Sequence, residues 1–177
     1  MRRIVAALSV IGLAALVGAE RQPEVKTQVS PEVSLRVSGV GAQTLTLAAG
    51  DIASLPRTKV TVSDRDDQKN TYEGVTVQEI LTKAGVGFGQ AMRGPRMLDY
   101  VVAGAADKYG VVFAIAELSD EFSERRVIVA DKVNGGPISG GDGPLRIIVS
   151  DEKKHARWVR NVTSLTIRNA GSEDPAK

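Results

Sequence analysis

Val33, Leu35 and Val37 alternate with Ser34, Arg36 and Ser38. That two-residue period predicts a strand with one face buried. Gly39-Val40-Gly41 then turns the chain, and Leu45 and Leu47, set among Thr44 and Thr46, predict a second strand. Asp51 is placed to cap a short helix that Pro56 ends. Val60 and Val62 open a third strand, and residues 64–70 read as a charged loop. The period changes at Thr76-Val77-Gln78-Glu79, a Thr-x-x-Glu capping box. Val77, Ile80, Leu81 and Ala84 fall on one helical face, and Gly85 supplies a left-handed stop.

Beyond this helix the β-type pattern returns. Residues 87–97 read as loop around Gly94-Pro95. Residues 98–103 and 111–114 are apolar and β-prone, with a hairpin connection over 105–110. Residues 116–124 are acidic and hold a helical turn, and the unbroken apolar run 127–130 marks a buried strand. Two closely spaced turns follow, Asn134-Gly135-Gly136-Pro137 and Gly140-Gly141-Asp142-Gly143-Pro144. Strands over 145–149 and 165–167 complete the pattern. Many short strands, few helices and no repeated strand–helix alternation predict a β-rich α+β fold, a single domain over residues 32–169.

The first residues are of another kind. Arg2 and Arg3 precede an apolar core over 4–17, and Val17-Gly18-Ala19 forms a small-residue cleavage site before Glu20. The run falls short of the roughly 20 apolar residues of a spanning helix. A signal peptide over 1–19 is expected, then a flexible polar lead over 20–31 and, at the other end, a disordered tail over 170–177. An uncleaved anchor is the alternative. Cleavage would leave about 158 of the 177 residues in a periplasmic or secreted protein with no membrane span. It would also remove two of the 23 basic residues, leaving 21 against 21 acidic ones. The high isoelectric point is thus partly a property of the signal, and nucleic acid is not an expected partner.

Zero cysteines exclude thiolate metal sites, iron–sulfur clusters, Cys nucleophiles and disulfides in this chain. A single histidine, His155, excludes a His-cluster metal site. No metal site is expected, and no spacing rule singles out a catalytic residue.

Several segments taken in order carry a more specific signal. They are Tyr72-Glu73-Gly74-Val75 with Gln78-Glu79-Ile80-Leu81, then Tyr100-Val101-Val102 with Asp107-Lys108-Tyr109-Gly110-Val111-Val112-Phe113. Val127-Ile128-Val129-Ala130-Asp131 and Asn134-Gly135-Gly136-Pro137-Ile138 follow. Gly143-Pro144-Leu145-Arg146 and Ala156-Arg157-Trp158-Val159-Arg160 close the series. The set resembles the molybdopterin-binding domain of sulfite-oxidase-type oxidoreductases in its small stand-alone form, over roughly residues 33–168. The resemblance implies that fold and a molybdopterin cofactor. It also implies a Cys thiolate on the molybdenum, which this chain cannot supply. Soft thiolate ligation has no equal substitute among Ser, Thr or Asn. More in keeping with the composition is a protein without the cofactor, a non-catalytic binding or interaction module for a small anionic or pterin-like ligand or a periplasmic protein partner. The alternative is a molybdenum-cofactor oxidoreductase with no protein thiolate.

The resemblance further implies that the loop before the last strand holds an anionic pterin tail. Arg146, Lys154, His155, Arg157 and Arg160 are the basic residues there, and Tyr109 is the expected pocket tyrosine, with Tyr72 a second candidate. Arginine forks suit phosphate and carboxylate. A solvated charged loop with rim ion pairs, worth little energetically, is the competing and favoured reading. Trp158 reads as a core anchor before it reads as a stacking platform. Gly140, Gly141 and Gly143 read as a tight turn before an anion cradle.

Overall fold

The computed structural model describes residues 33–63 and 68–172, which belong to one compact unit. The expected signal peptide and lead lie outside the described residues, as do residues 64–67 and the end of the tail. Ten strands and two short helices follow in order. They are β1 (Ser34–Gly39), β2 (Leu45–Ala48), α1 (Ala49–Ala53), β3 (Thr58–Ser63), β4 (Lys69–Thr76) and α2 (Val77–Lys83). After them come β5 (Asp99–Ala105), β6 (Gly110–Ala114), β7 (Val127–Val133), β8 (Gly136–Pro137), β9 (Arg146–Val149) and β10 (Val162–Asn169). Single turns of 3-10 helix occupy several connections, among them Ile115–Leu118, Gly140–Asp142 and His155–Arg157. The β-rich α+β single domain read from the sequence is the observed fold.

The strands make two five-stranded sheets. The first has the order β2-β1-β10-β5-β6, with β1 and β10 parallel and the other pairs antiparallel. In the second, β4 lies between β3 and β7, and β7 pairs along its far side with both β8 and β9. Alternation explains the inner face of the first sheet. Leu35 and Val37 of β1, Leu165 and Ile167 of β10, and Val101 and Ala103 of β5 are all buried, each separated by a more exposed neighbour. In β7 residues 127–130 are buried without interruption, and β9 is buried throughout, so the period disappears.

Polar caps settle the helix ends. The Thr76 hydroxyl accepts from the Glu79 N–H at 3.2 Å, the capping-box contact expected for α2, and Gly85 leaves the helix at φ +87°. In α1 the expectation needs correction. The helix starts at Ala49, so Asp51 lies inside its first turn and reaches back to accept from the Ala48 N–H at 2.9 Å. It ends at Ala53, ahead of Pro56. A carboxylate in that position still satisfies an end donor and complements the helix dipole. The loop expected over 64–70 also gives way at its end. Lys69 and Asn70 pair with Ser63 and Val62 as part of β4, because cross-strand hydrogen bonds outweigh the polarity of the side chains.

The approach to β10 ties the sheets together. The Ile147 N–H donates to the Val159 carbonyl at 2.8 Å, and the Val162 N–H donates to the Leu145 carbonyl at 3.0 Å. Arg146 and Arg160 are bridge partners between these bonds. The chain therefore lies against the start of β9 in the second sheet before entering the centre of the first. No helix among the described residues is long and apolar enough to cross a membrane.

Candidate functional site

The stretch between β9 and β10 folds over Trp158. This side chain is 4% exposed, and its Nε1–H donates to the Val149 carbonyl at 3.2 Å. Tyr72 meets it edge-on, with ring centroids 5.9 Å apart. The His155 imidazole stacks on it, with ring centroids 3.8 Å apart and an interplanar angle of 14°. Trp158 is thus both the core anchor and the floor under His155.

Around this stack lies a cavity of about 260 Å³ lined by Asp107, Tyr109, His155, Ala156, Trp158 and Arg160. The β5–β6 hairpin supplies Asp107 and Tyr109. The Asp107 carboxylate accepts from the Tyr109 N–H at 2.9 Å, which shapes the hairpin turn. The Tyr109 hydroxyl donates to the Ala156 carbonyl at 2.6 Å and fastens the hairpin to the loop. Arg160 is the exposed cation of the wall, at 59% side-chain exposure.

Arg146 stands behind the stack. Its guanidinium carbon is 5.6 Å from the centre of the Trp158 ring and 5.8 Å from that of Tyr72. Nη1 donates to the Asp142 carboxylate at 2.9 Å and reaches the Tyr72 hydroxyl at 3.4 Å. Its Nε is buried with no hydrogen-bond partner among the described residues.

Arg157 has a different setting from its neighbours. It donates to Glu152 at 3.0 Å and to both oxygens of Glu117 at 3.1 Å, and it covers the Phe113 ring at 4.9 Å. Arg125 approaches the same two carboxylates at 3.7 and 3.8 Å. The hydrogen bond that Arg157 donates to Glu152 foremost, opposed by burial and reinforced by Glu117, holds its guanidinium above its ordinary range. A raised folded value keeps this contribution intact below the unfolded value, and it is lost only as pH climbs through the folded one. The Arg157 shift therefore adds no pH dependence near neutrality. Arg157→Leu is expected to lower stability by about 1–3 kcal/mol, since two largely buried carboxylates lose their main partner. Urea unfolding measures this.

Of the six residues expected to bind, the structure brings Tyr109, His155 and Arg160 together on one cavity. Arg146 sits behind it, Lys154 is exposed, and Arg157 is engaged by the acidic pair. Asp107 on the cavity wall and Asp142 beside Arg146 join the residues expected from the sequence. Their only sequence signal was a turn context.

Residues 22–175 match the family described as the oxidoreductase molybdopterin binding domain. The chain belongs to this family. A fold likeness agrees with it. The sulfane dehydrogenase SoxCD from Paracoccus pantotrophus matches with a TM-score of 0.59 and 21% identity, over 78% of this chain and 39% of that one. The chain thus spans about two fifths of the length of that structure. No curated protein matches it.

Membership implies a molybdopterin group, and the donor chemistry tests the fit. The metal would ask for a soft ligand, but the chain holds no cysteine. No group of three His, Asp or Glu among the described residues is arranged to hold a metal ion. These residues do not fit a metal ligated by the protein.

Proposed function

We propose that this member of the molybdopterin-binding family is an exported, non-catalytic module that takes a small anionic or pterin-like ligand. The observation that carries the reading is the cavity at the His155–Trp158 stack, where a flat aromatic floor meets the Arg160 cation in a chain without a thiolate. An aromatic face and a guanidinium suit a planar ligand with an acidic group. A volume near 260 Å³ is small for a cofactor pocket and suits a compact ligand or one part of a larger one. The leader pattern of residues 1–19 supports export.

The test is the molybdenum and pterin content of the protein purified after export by its own leader, with the N-terminus of the same sample read. The expected result is no molybdenum and a chain beginning at Glu20. One molybdenum per chain would overturn the non-catalytic reading in favour of an oxidoreductase that binds its cofactor without a protein thiolate.

Titration with a soluble pterin, followed by Trp158 fluorescence, tests the cavity directly. The single Trp of the chain makes the signal local. His155→Ala and Arg160→Ala should each weaken binding about tenfold, equivalent to about 1.4 kcal/mol. Unchanged affinity in both would move the ligand elsewhere.

A further inference from the structure

Strand β6 ends the first sheet with one neighbour, β5, and its other edge is open. The register with β5, together with the bond from the Ala105 N–H to the Tyr109 carbonyl at 2.8 Å, fixes which groups turn outward. Bonded and non-bonded positions alternate in an antiparallel ladder. Val111 and Phe113 therefore bond to β5, while Gly110, Val112 and Ala114 direct their N–H and C=O groups away from it. Ala114 agrees with this parity, because its N–H donates to the Glu117 carboxylate at 2.9 Å. The outward groups of Gly110 and Val112 have no such partner among the described residues. Protein edges are usually blunted by charge, proline or a bulge, and Gly110–Ala114 has none of these. Val112 is 53% exposed.

We propose that this edge pairs with the same edge of a second copy, joining two five-stranded sheets into one of ten across a two-fold axis at Val111. In that register Gly110 of each copy lies opposite Val112 of the other. Each copy donates two hydrogen bonds and accepts two, so every open group of both edges is used. A register shifted toward Ala114 would set an open carbonyl against an N–H that Glu117 already takes. Charge favours the same arrangement. The exposed turn residue Lys108 of one copy comes to the Ala114 end of the other, beside the Glu117 carboxylate, and symmetry repeats the pair. Glu117 is also held by Arg157 and Arg125, so this attraction is modest.

The edge is complementary to itself in shape as well. Val112 pairs with Val102 on the outer face of the sheet, and Gly110 pairs with Gly104. In the joined sheet each Val112 side chain would extend toward the two glycines of the other copy, which present no Cβ against it. A strand from elsewhere would need two open positions at the same spacing and a small residue opposite Val112. This edge supplies both. Only two residues of each copy carry the ladder, so the dimer belongs to the weak class. The proposal is independent of what the cavity binds.

The test is sedimentation velocity of the full chain, exported by its own leader, from about 1 to 500 µM, with the dimer expected in the upper part of that range. Val112→Pro removes a paired N–H from each edge without breaking a bond to β5, and should weaken the dimer at least about tenfold. Lys108→Glu, in the exposed turn, should weaken it about threefold and decides the matter should Val112→Pro fail to fold. Cross-linking reads the register, since the chain has no cysteine of its own. The two Val111 Cα atoms would stand about 4.5 Å apart across the axis, within reach of a disulfide. The two Ala114 Cα atoms would be about 20 Å apart. Mild oxidation should therefore join Val111→Cys into a covalent dimer and leave Ala114→Cys as single chains. A monomer at every concentration would overturn the proposal and leave the edge to a strand of another protein. A dimer that both substitutions leave intact would overturn it too, as would equal cross-linking at positions 111 and 114.

Discussion

Trp158→Ala is expected to remove about 3–5 kcal/mol of stability, the range for deleting a buried large aromatic side chain. That is a large share of the roughly 5–15 kcal/mol that holds an ordinary domain together. Four contacts disappear at once. The His155 ring loses its stacking partner, Tyr72 its edge contact, Arg146 an aromatic face, and the Val149 carbonyl the Nε1–H donor. The guanidinium of Arg146 would then border a void, which adds a polar cost to the cavity cost. Trp158→Phe separates the contributions. It retains an aromatic ring and loses the hydrogen bond, so a smaller loss of about 1–2 kcal/mol is expected. Guanidinium unfolding followed by far-ultraviolet circular dichroism measures both variants. A loss below about 1 kcal/mol for the alanine variant would show that the loop closes over the gap, and that Trp158 is no anchor.

Gly74→Ala is the other substitution with a severe expected effect, about 3 kcal/mol or more, read as a lower unfolding midpoint or as loss of soluble protein. The β4–β7 ladder shifts register between Glu73 and Gly74, where Asp131 forms the irregularity. A Cβ at residue 74 would stand 2.1 Å from the Val129 carbonyl oxygen and 2.6 Å from the Ala130 Cα. Both atoms belong to the backbone of β7, which is paired on two sides and cannot withdraw without breaking ladder bonds. Gly141→Ala is the matched control. Its Cβ would enter open space, and a change within about 0.5 kcal/mol is expected. Similar losses in the two variants would indicate that chain stiffness, and not the close approach of β4 to β7, limits position 74.

The two predictions concern the same region from opposite sides. Gly74 lets β4 approach β7, and Tyr72, two residues earlier on that strand, reaches the Trp158 ring and Arg146. The site floor therefore depends on the spacing of a strand remote from it in sequence. Damage at residue 74 should weaken ligand binding as well as stability, whereas damage at Arg160 should affect binding alone.

Local pattern carried much of the architecture. Alternation in β1 and β2, the unbroken apolar run of β7 and the Thr76 cap of α2 are short-range signals, and the structure contains each of them. Ordered motifs from Tyr72 to Arg160 pointed to the family that the match over residues 22–175 shows. The sequence alone also settled that no thiolate is available in this chain, because composition is independent of folding. Element ends were less legible. Asp51 and Asn70 are polar residues whose places depend on a backward hydrogen bond and on a paired strand, neither of which a local window contains.

The division of labour among the basic residues was decided only by tertiary structure. Arg157 and Arg160 stand three positions apart and look equivalent in the sequence. Arg157 meets Glu117, 40 residues away, through the turn beside β6, while Arg160 reaches the cavity and Asp142. Periodicity and propensity act over a few residues, but an ion pair is selected by whatever the sheets bring within about 4 Å. The placement of β10 between β1 and β5, and the bridge that joins Arg146 to Arg160, are what turned a run of basic residues into one engaged arginine and a pair sharing a carboxylate.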